Sequence, residues 1–187
     1  VCISPTRFYV HENNYDAFAG RFAEIAKSLK VGRGMDEGVQ VGPMANQRGL
    51  ETIQEMTRDA ISRGAELLAG GQVPAGSNSG FFMEPTVLGR VPDDAMVMNE
   101  EPFGPIAPIT TFTDYDAEME RANALPFGLA GYVFSNNLSL ATRAYEDLEV
   151  GMVGVNEMLL ATAEAPFGGV KESGMGREGG SFGIQDY

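Results

Sequence analysis

Residues 129–156 read LAGYVFSNNLSLATRAYEDLEVGMVGVN, and the order of patterns inside them decides the fold class. Leu129 to Phe134 is a nearly continuous apolar run, as a strand covered on both faces requires. Leu138, Ala141, Tyr145 and Leu148 then recur at helical spacing and predict one apolar helix stripe. Gly151 to Asn156 is apolar again. Strand, helix and strand in this order predict parallel neighbours in a sheet covered by helices.

The same alternation extends towards the N-terminus. Thr6 to Val10 is β-rich and Glu12-Asn13-Asn14 reads as a turn. Phe18, Phe22, Ile25 and Leu29 predict a helix over 15–29 that Gly32 and Gly34 stop. After a loop with Gly38, Gly42 and Pro43, the spacing of Leu50, Ile53, Met56 and Ala60 predicts a second helix ending at Gly64. Ala65 to Ala69 reads as a strand, Gln72 to Gly80 as an exposed loop, and Phe82 to Leu88 as another strand. Pro105 to Phe112 follows as a strand, and Thr113-Asp114-Tyr115-Asp116 reads as a capping box opening a helix near Ala117. No internal repeat is visible, and the pattern is α/β with a largely parallel sheet.

Composition limits the function classes. At 187 residues, one domain with a substantial core is the default expectation. With 43% hydrophobic and 21% charged residues the chain has the apolar content to fold. A net charge of −13 disfavours nucleic acid and anionic membrane surfaces as partners. Neither an apolar run of membrane-spanning length nor a signal-peptide pattern occurs. The single cysteine, Cys2, forms no internal disulfide, and His11 has no second metal ligand at a suitable spacing, so a reducing, cytoplasmic location is expected and no metal site.

Three local clusters remain. Val1-Cys2-Ile3-Ser4-Pro5-Thr6 contains a free thiol, which is either a small hydrophobe or a nucleophile. Asn99-Glu100-Glu101-Pro102-Phe103-Gly104-Pro105 places two acids before a rigid turn; they are either a solvated pair or acceptors for sugar hydroxyls. Residues 165–179, APFGGVKESGMGREG, have too many irregularly spaced glycines for helix or strand, and do not match the phosphate-binding GxxxxGK[ST] pattern.

In this order the clusters resemble the aldehyde dehydrogenase superfamily: Cys-x-x-Pro-Thr-Arg from Cys2, Glu-Glu-Pro-Phe-Gly-Pro from Glu100, and Pro-Phe-Gly-Gly-Val-Lys-x-Ser-Gly-x-Gly-Arg-Glu from Pro166. Gly128 to Ser135 and Gly151 to Asn156 are similar to the family as well. The resemblance spans the chain and implies a three-layer αβα catalytic domain that begins close to its nucleophile, without the cofactor-binding domain or the C-terminal oligomerisation strand. Gly151 to Glu157 and Gly183 to Tyr187 resemble the branch acting on succinate semialdehyde. Some members of that branch place a serine near the position of Ala161 to help hold the substrate carboxylate, whereas this chain has Ala161-Thr162.

The resemblance implies Cys2 as the nucleophile, adding to an aldehyde to give a thiohemiacetal and then a thioester, with hydride passing to NAD or NADP. It implies Glu101 on the nicotinamide ribose, Phe103 beside the ring, and Phe167 with Ala161 and Thr162 in the aldehyde pocket. The general base lies upstream of the cysteine in the family, so Glu100, Glu157 and Glu164 are not nominated. A small aldehyde substrate and a homodimeric or homotetrameric full-length protein follow from the same likeness. Two rivals are an acylating or acyl-phosphate reductase of the same fold and a non-catalytic interaction domain.

Overall fold

The computed structural model describes residues 1–76 and 79–186. The chain forms two compact units, Thr6–Thr113, and Val1–Pro5 together with the chain from Asp114 onward.

The Thr6–Thr113 unit contains β1 (Phe8–His11), α1 (Glu12–Ser28), α2 (Gln47–Ser62), β2 (Glu66–Ala69), β3 (Thr86–Gly89), α3 (Met96–Asn99) and β4 (Ile106–Phe112). Its sheet has the order β1-β4-β3-β2. β1 and β3 both run parallel to β4, with Phe8 opposite Ile109 and Thr86 opposite Ile106, and β2 is an antiparallel edge strand. Side chains alternate across the sheet. Phe8, Val10, Val87 and Ile109 meet α1, whereas Tyr9, Leu88 and Ile106 belong to the cluster built on α2 and α3. Two helical layers thus enclose the sheet, and the three-layer αβα expectation describes this unit.

Three details differ from the sequence reading. Glu12, Asn13 and Asn14 are the first turn of α1 rather than a separate turn, because the His11 ring nitrogen Nδ1 caps the helix by accepting from the Asn13 N–H. The buried row of α1 is Tyr15, Ala19, Ala23 and Ala26, while Phe18 and Ile25 are 38% and 47% exposed. Alanines allow the helix to lie close to the sheet, and Phe18 and Phe22 pack beside it around the Phe8 ring, with centroids 6.2 and 5.1 Å away. The strand expected from Phe82 begins only at Thr86, since Pro85 has no N–H for a ladder. Leu50, Ile53, Met56 and Ala60 of α2 are buried as the spacing predicts. Residues 77 and 78 of the expected loop lie outside the described residues, as does Tyr187 at the end of the closing motif.

The second unit contains α4 (Tyr115–Asn123), β5 (Phe127–Gly128), β6 (Ala130–Val133), α5 (Leu138–Asp147), β7 (Met152–Val155), β8 (Val170–Lys171) and a 3-10 turn (Gly183–Asp186). The α4 cap is Asp114, whose carboxylate accepts from the Ala117 N–H at 2.8 Å, one residue later than the expected box. β6 and β7 are parallel, with Tyr132 opposite Gly154, and α5 is their crossover helix. This is the strand, helix and strand of residues 129–156. α5 buries Ala141 and Ala144 while Leu138 is 79% exposed, and β6 is half-buried throughout rather than covered on both faces. A two-stranded pair with one crossover helix offers cover for no more. β5 pairs antiparallel with β8.

Candidate active site

Cys2 is exposed and is a central residue of a turn that the Ser4 N–H closes on the Val1 carbonyl at 3.0 Å. The Tyr132 hydroxyl, from β6, donates to the Ile3 carbonyl at 2.6 Å. Burial pushes the Tyr132 phenol up from its ordinary pKa, and the negative charge of a Cys2 thiolate adds to the rise. The hydroxyl therefore remains a donor through the neutral range.

The chain leaving β7 is fixed at once. Asn156 takes a positive φ of 54°, and its side-chain amide accepts from the Ser135 N–H and donates to the Ser135 carbonyl, both at 3.0 Å. Asparagine is among the residues that tolerate this backbone region. The ends of β6 and β7 are clamped together by this pair. Next, the Glu157 carboxylate accepts from the N–H groups of Met158 and Leu159 at 2.6 and 2.8 Å. Those bonds hold its carboxyl below the usual carboxylate range, so it is a weak base and a poor proton acceptor. Ala161 and Thr162 follow, both exposed.

The glycine-rich segment is closed by its own bonds. Phe167 is half-buried and exchanges two backbone hydrogen bonds with Glu178, at 2.7 and 2.8 Å. Gly168 and Gly169 are buried, and a Cβ on Gly168 would stand 2.2 Å from the Gly176 carbonyl oxygen. The Arg177 guanidinium donates to the carbonyls of Gly169, Met175 and Gly176. Ser173 accepts from the Gly128 N–H at 3.0 Å, and Lys171 binds the carbonyls of Asn123 and Leu125 and the Glu149 carboxylate. The four Lys and Arg side chains of this unit (Arg121, Arg143, Lys171 and Arg177) all have protein partners.

In the Thr6–Thr113 unit, the Glu-Glu-Pro-Phe-Gly-Pro turn follows α3. The Glu100 N–H caps α3 on the Met96 carbonyl, Pro102 is buried, and the Pro105 carbonyl accepts from Thr86 at 2.8 Å. A Cβ on Gly104 would lie 2.5 Å from Ile53 Cγ1, so only glycine lets the turn sit this close to α2. Glu101 and Phe103 face outward, the ring 60% exposed. An exposed carboxylate and an exposed ring on a pinned turn fit a ribose and a planar heterocycle.

Cys2, Ala161, Thr162 and Phe167 thus belong to one unit, and Glu101 and Phe103 to the other. Tyr132 was not singled out by the sequence reading. Its signal was a phenol in the otherwise apolar run from Leu129 to Phe134.

Parallel strands joined by helices define an α/β protein, and it carries an exposed thiol on a pinned turn and a glycine-rich segment closed by its own bonds. The chain belongs to the aldehyde dehydrogenase family, whose model matches residues 1–187. It is 46% identical over 186 residues to a 3-sulfolactaldehyde dehydrogenase from Pseudomonas putida, covering all of this chain and 38% of that protein. It is 43% identical over 187 residues to the NADP-dependent succinate-semialdehyde dehydrogenase 2 of Schizosaccharomyces pombe, again covering all of this chain and 38% of that one. A succinate-semialdehyde dehydrogenase structure from Burkholderia pseudomallei superposes with a TM-score of 0.96 at 44% identity, covering 100% of this chain and 38% of its own. The chain therefore spans little more than a third of the length of these relatives. Among the described residues, no helix is long and apolar enough to cross a membrane.

Proposed function

We propose that this chain is the catalytic domain of an NAD(P)-dependent aldehyde dehydrogenase, with Cys2 as its nucleophile. The observation that carries the reading is the exposed Cys2 thiol on a turn whose backbone is tied by Tyr132. The Cys2 thiolate adds to the aldehyde carbon, and the carbonyl oxygen becomes the alkoxide of a thiohemiacetal. The Cys2 N–H is one donor for that oxygen. A nicotinamide held by Glu101 and Phe103 would supply the hydride acceptor needed for oxidation of the thiohemiacetal to the thioester. Water then cleaves the thioester, giving the carboxylate and returning the thiolate. The family resemblance places the base that activates this water upstream of Cys2, and the Glu157 carboxylate is engaged by the N–H groups of Met158 and Leu159.

Glu101 accepts hydrogen bonds from ribose hydroxyls, Phe103 offers its ring to a planar heterocycle, and Phe167 with Ala161 and Thr162 shapes the aldehyde pocket. The substrate is a small acid semialdehyde such as succinate semialdehyde, a reading supported by the relatives' names. All four cations of the Cys2 unit are engaged, so the substrate carboxylate draws on neutral donors such as the Thr162 hydroxyl or on groups outside this unit. The full-length protein works as a homodimer or homotetramer in the cytoplasm.

The test is Cys2→Ala in the full-length protein. Loss of aldehyde-dependent NAD(P)H formation with NAD(P) affinity retained is the expected result; retained turnover removes Cys2 from the reaction. The isolated 187 residues should form no NAD(P)H from aldehyde, and measurable turnover would refute the assignment of the base elsewhere.

A further inference from the structure

We propose that Tyr132 is a positioning residue for Cys2, fixing the turn that carries the thiol through a single hydrogen bond from its hydroxyl to the Ile3 carbonyl. The proposal rests on the reading of Cys2 as the nucleophile.

One peptide unit, that joining Ile3 and Ser4, is held twice. Its carbonyl accepts from Tyr132 at 2.6 Å, and its N–H donates to the Val1 carbonyl at 3.0 Å. Both edges of that peptide plane are thereby held. Cys2 and Ile3 are the two central residues of the turn that this N–H closes, so fixing the plane at the turn's exit limits how far the turn, and the thiol it carries, can shift. A nucleophile held in its attack geometry avoids an entropic cost at each turnover. A turn closed by its own backbone bond alone would be free to fray at its surface.

The anchor itself is rigid. Tyr132 sits in β6, and its register partner in the parallel β7 is Gly154. A Cβ on Gly154 would approach the Tyr132 ring atom Cδ1 to 3.1 Å and the Glu157 carbonyl oxygen to 2.3 Å, so glycine makes room for the ring to lie across its neighbour. The half-buried ring is held by the strand pair, and its hydroxyl reaches a residue 129 positions away in the chain. Because burial and the nearby Cys2 charge oppose ionisation of the phenol, the hydroxyl keeps its proton, and with it the bond, through the neutral range.

Tyr132→Phe removes only the donor. In the full-length protein kcat should fall roughly three- to tenfold, the worth of one hydrogen bond, with KM for the aldehyde within about twofold. Hydrogen exchange at the Ser4 amide should quicken by a similar factor while the β6 and β7 amides keep their protection. A purely structural role would instead loosen the strand pair and leave Ser4 no more affected than its neighbours, which overturns the proposal. An unchanged kcat, or an unchanged Ser4 exchange rate, overturns it too. Cys2→Ala run in parallel separates the two ideas: turnover retained in that variant refutes the nucleophile, whereas the Ser4 amide still reports on whether the tether exists.

Discussion

Gly151 lies so close to Gly168 that a Cβ on the first would stand 2.0 Å from the carbonyl oxygen of the second. The contact joins the start of β7 to the Pro-Phe-Gly-Gly segment, and its listener on the other side is backbone, which cannot swing away. Gly151→Ala should therefore destabilise this unit by about 3 kcal/mol, the upper range for an overpacked site. Urea unfolding monitored on the unit's tyrosines measures it. Because Gly168 is adjacent to Phe167, the variant should also raise KM for the aldehyde; an unaltered unfolding midpoint would show that the loop yields at no cost.

Tyr115 provides a test at alkaline pH. Its hydroxyl donates to Asp147 at 2.8 Å, and the Arg143 guanidinium lies over its ring at 4.2 Å while also pairing with Asp116 and Asp147. Burial, then the bond to Asp147, push its pKa up to about 12. An unfolded tyrosine titrates near 10, so the folded state holds this proton more tightly. The stability it contributes is fully present below about pH 10 and is lost as pH rises through about 12. Tyr115→Phe should flatten that alkaline decline, and phenolate absorbance should show one fewer late-titrating tyrosine in the variant than in the parent, where Tyr15 and Tyr132 are also shifted up.

Asp59 gives the opposite sign. Its carboxylate accepts from the Met96 N–H at 2.7 Å and from Arg63 at 2.8 Å, linking α2 to α3 immediately before the Glu100-Glu101 turn. The Met96 bond, then Arg63, hold its carboxyl below the usual carboxylate range. Its contribution is present above the unfolded carboxylate pKa, near 4, and is lost as pH falls through the lower folded value. Asp59→Asn should lower the urea midpoint at neutral pH and reduce its fall below pH 4; parallel acid profiles for parent and variant would remove Asp59 from the acid response.

Residues 129–156 were legible because three apolar clusters, each long enough to show its period, follow one another with only polar loops between them. α1 was legible as a helix but not in its facing. Phe18 and Ile25 dominate any hydrophobic count, yet the small side chains of Ala19, Ala23 and Ala26 meet the sheet. Periodicity weighs side chains by size, whereas close approach of a helix to a sheet favours small ones. The motifs around Cys2, Glu101 and Phe167 were legible as a family resemblance. The Tyr132 bond was not, since it joins residues 129 positions apart and no local spacing rule reaches that far.

Gly104 tests whether the pinned turn serves the cofactor. Ile53, against which the turn rests, is only 1% exposed and has no room to retreat, so a methyl group at Gly104 must push the turn outward. Glu101 and Phe103 would move with it. In the full-length protein Gly104→Ala should weaken NAD(P) binding several-fold, and Glu101→Ala should weaken it roughly tenfold or more, as expected for hydrogen bonds to a charged acceptor. Glu101→Gln keeps an acceptor oxygen without the charge and should fall between parent and Glu101→Ala. Titration calorimetry with NAD and NADP, alongside the alkylation rate of Cys2 without cofactor, distinguishes a local effect from unfolding. The expected pattern is a weaker affinity with an unchanged alkylation rate. Equal affinities across all three variants would detach this turn from the cofactor.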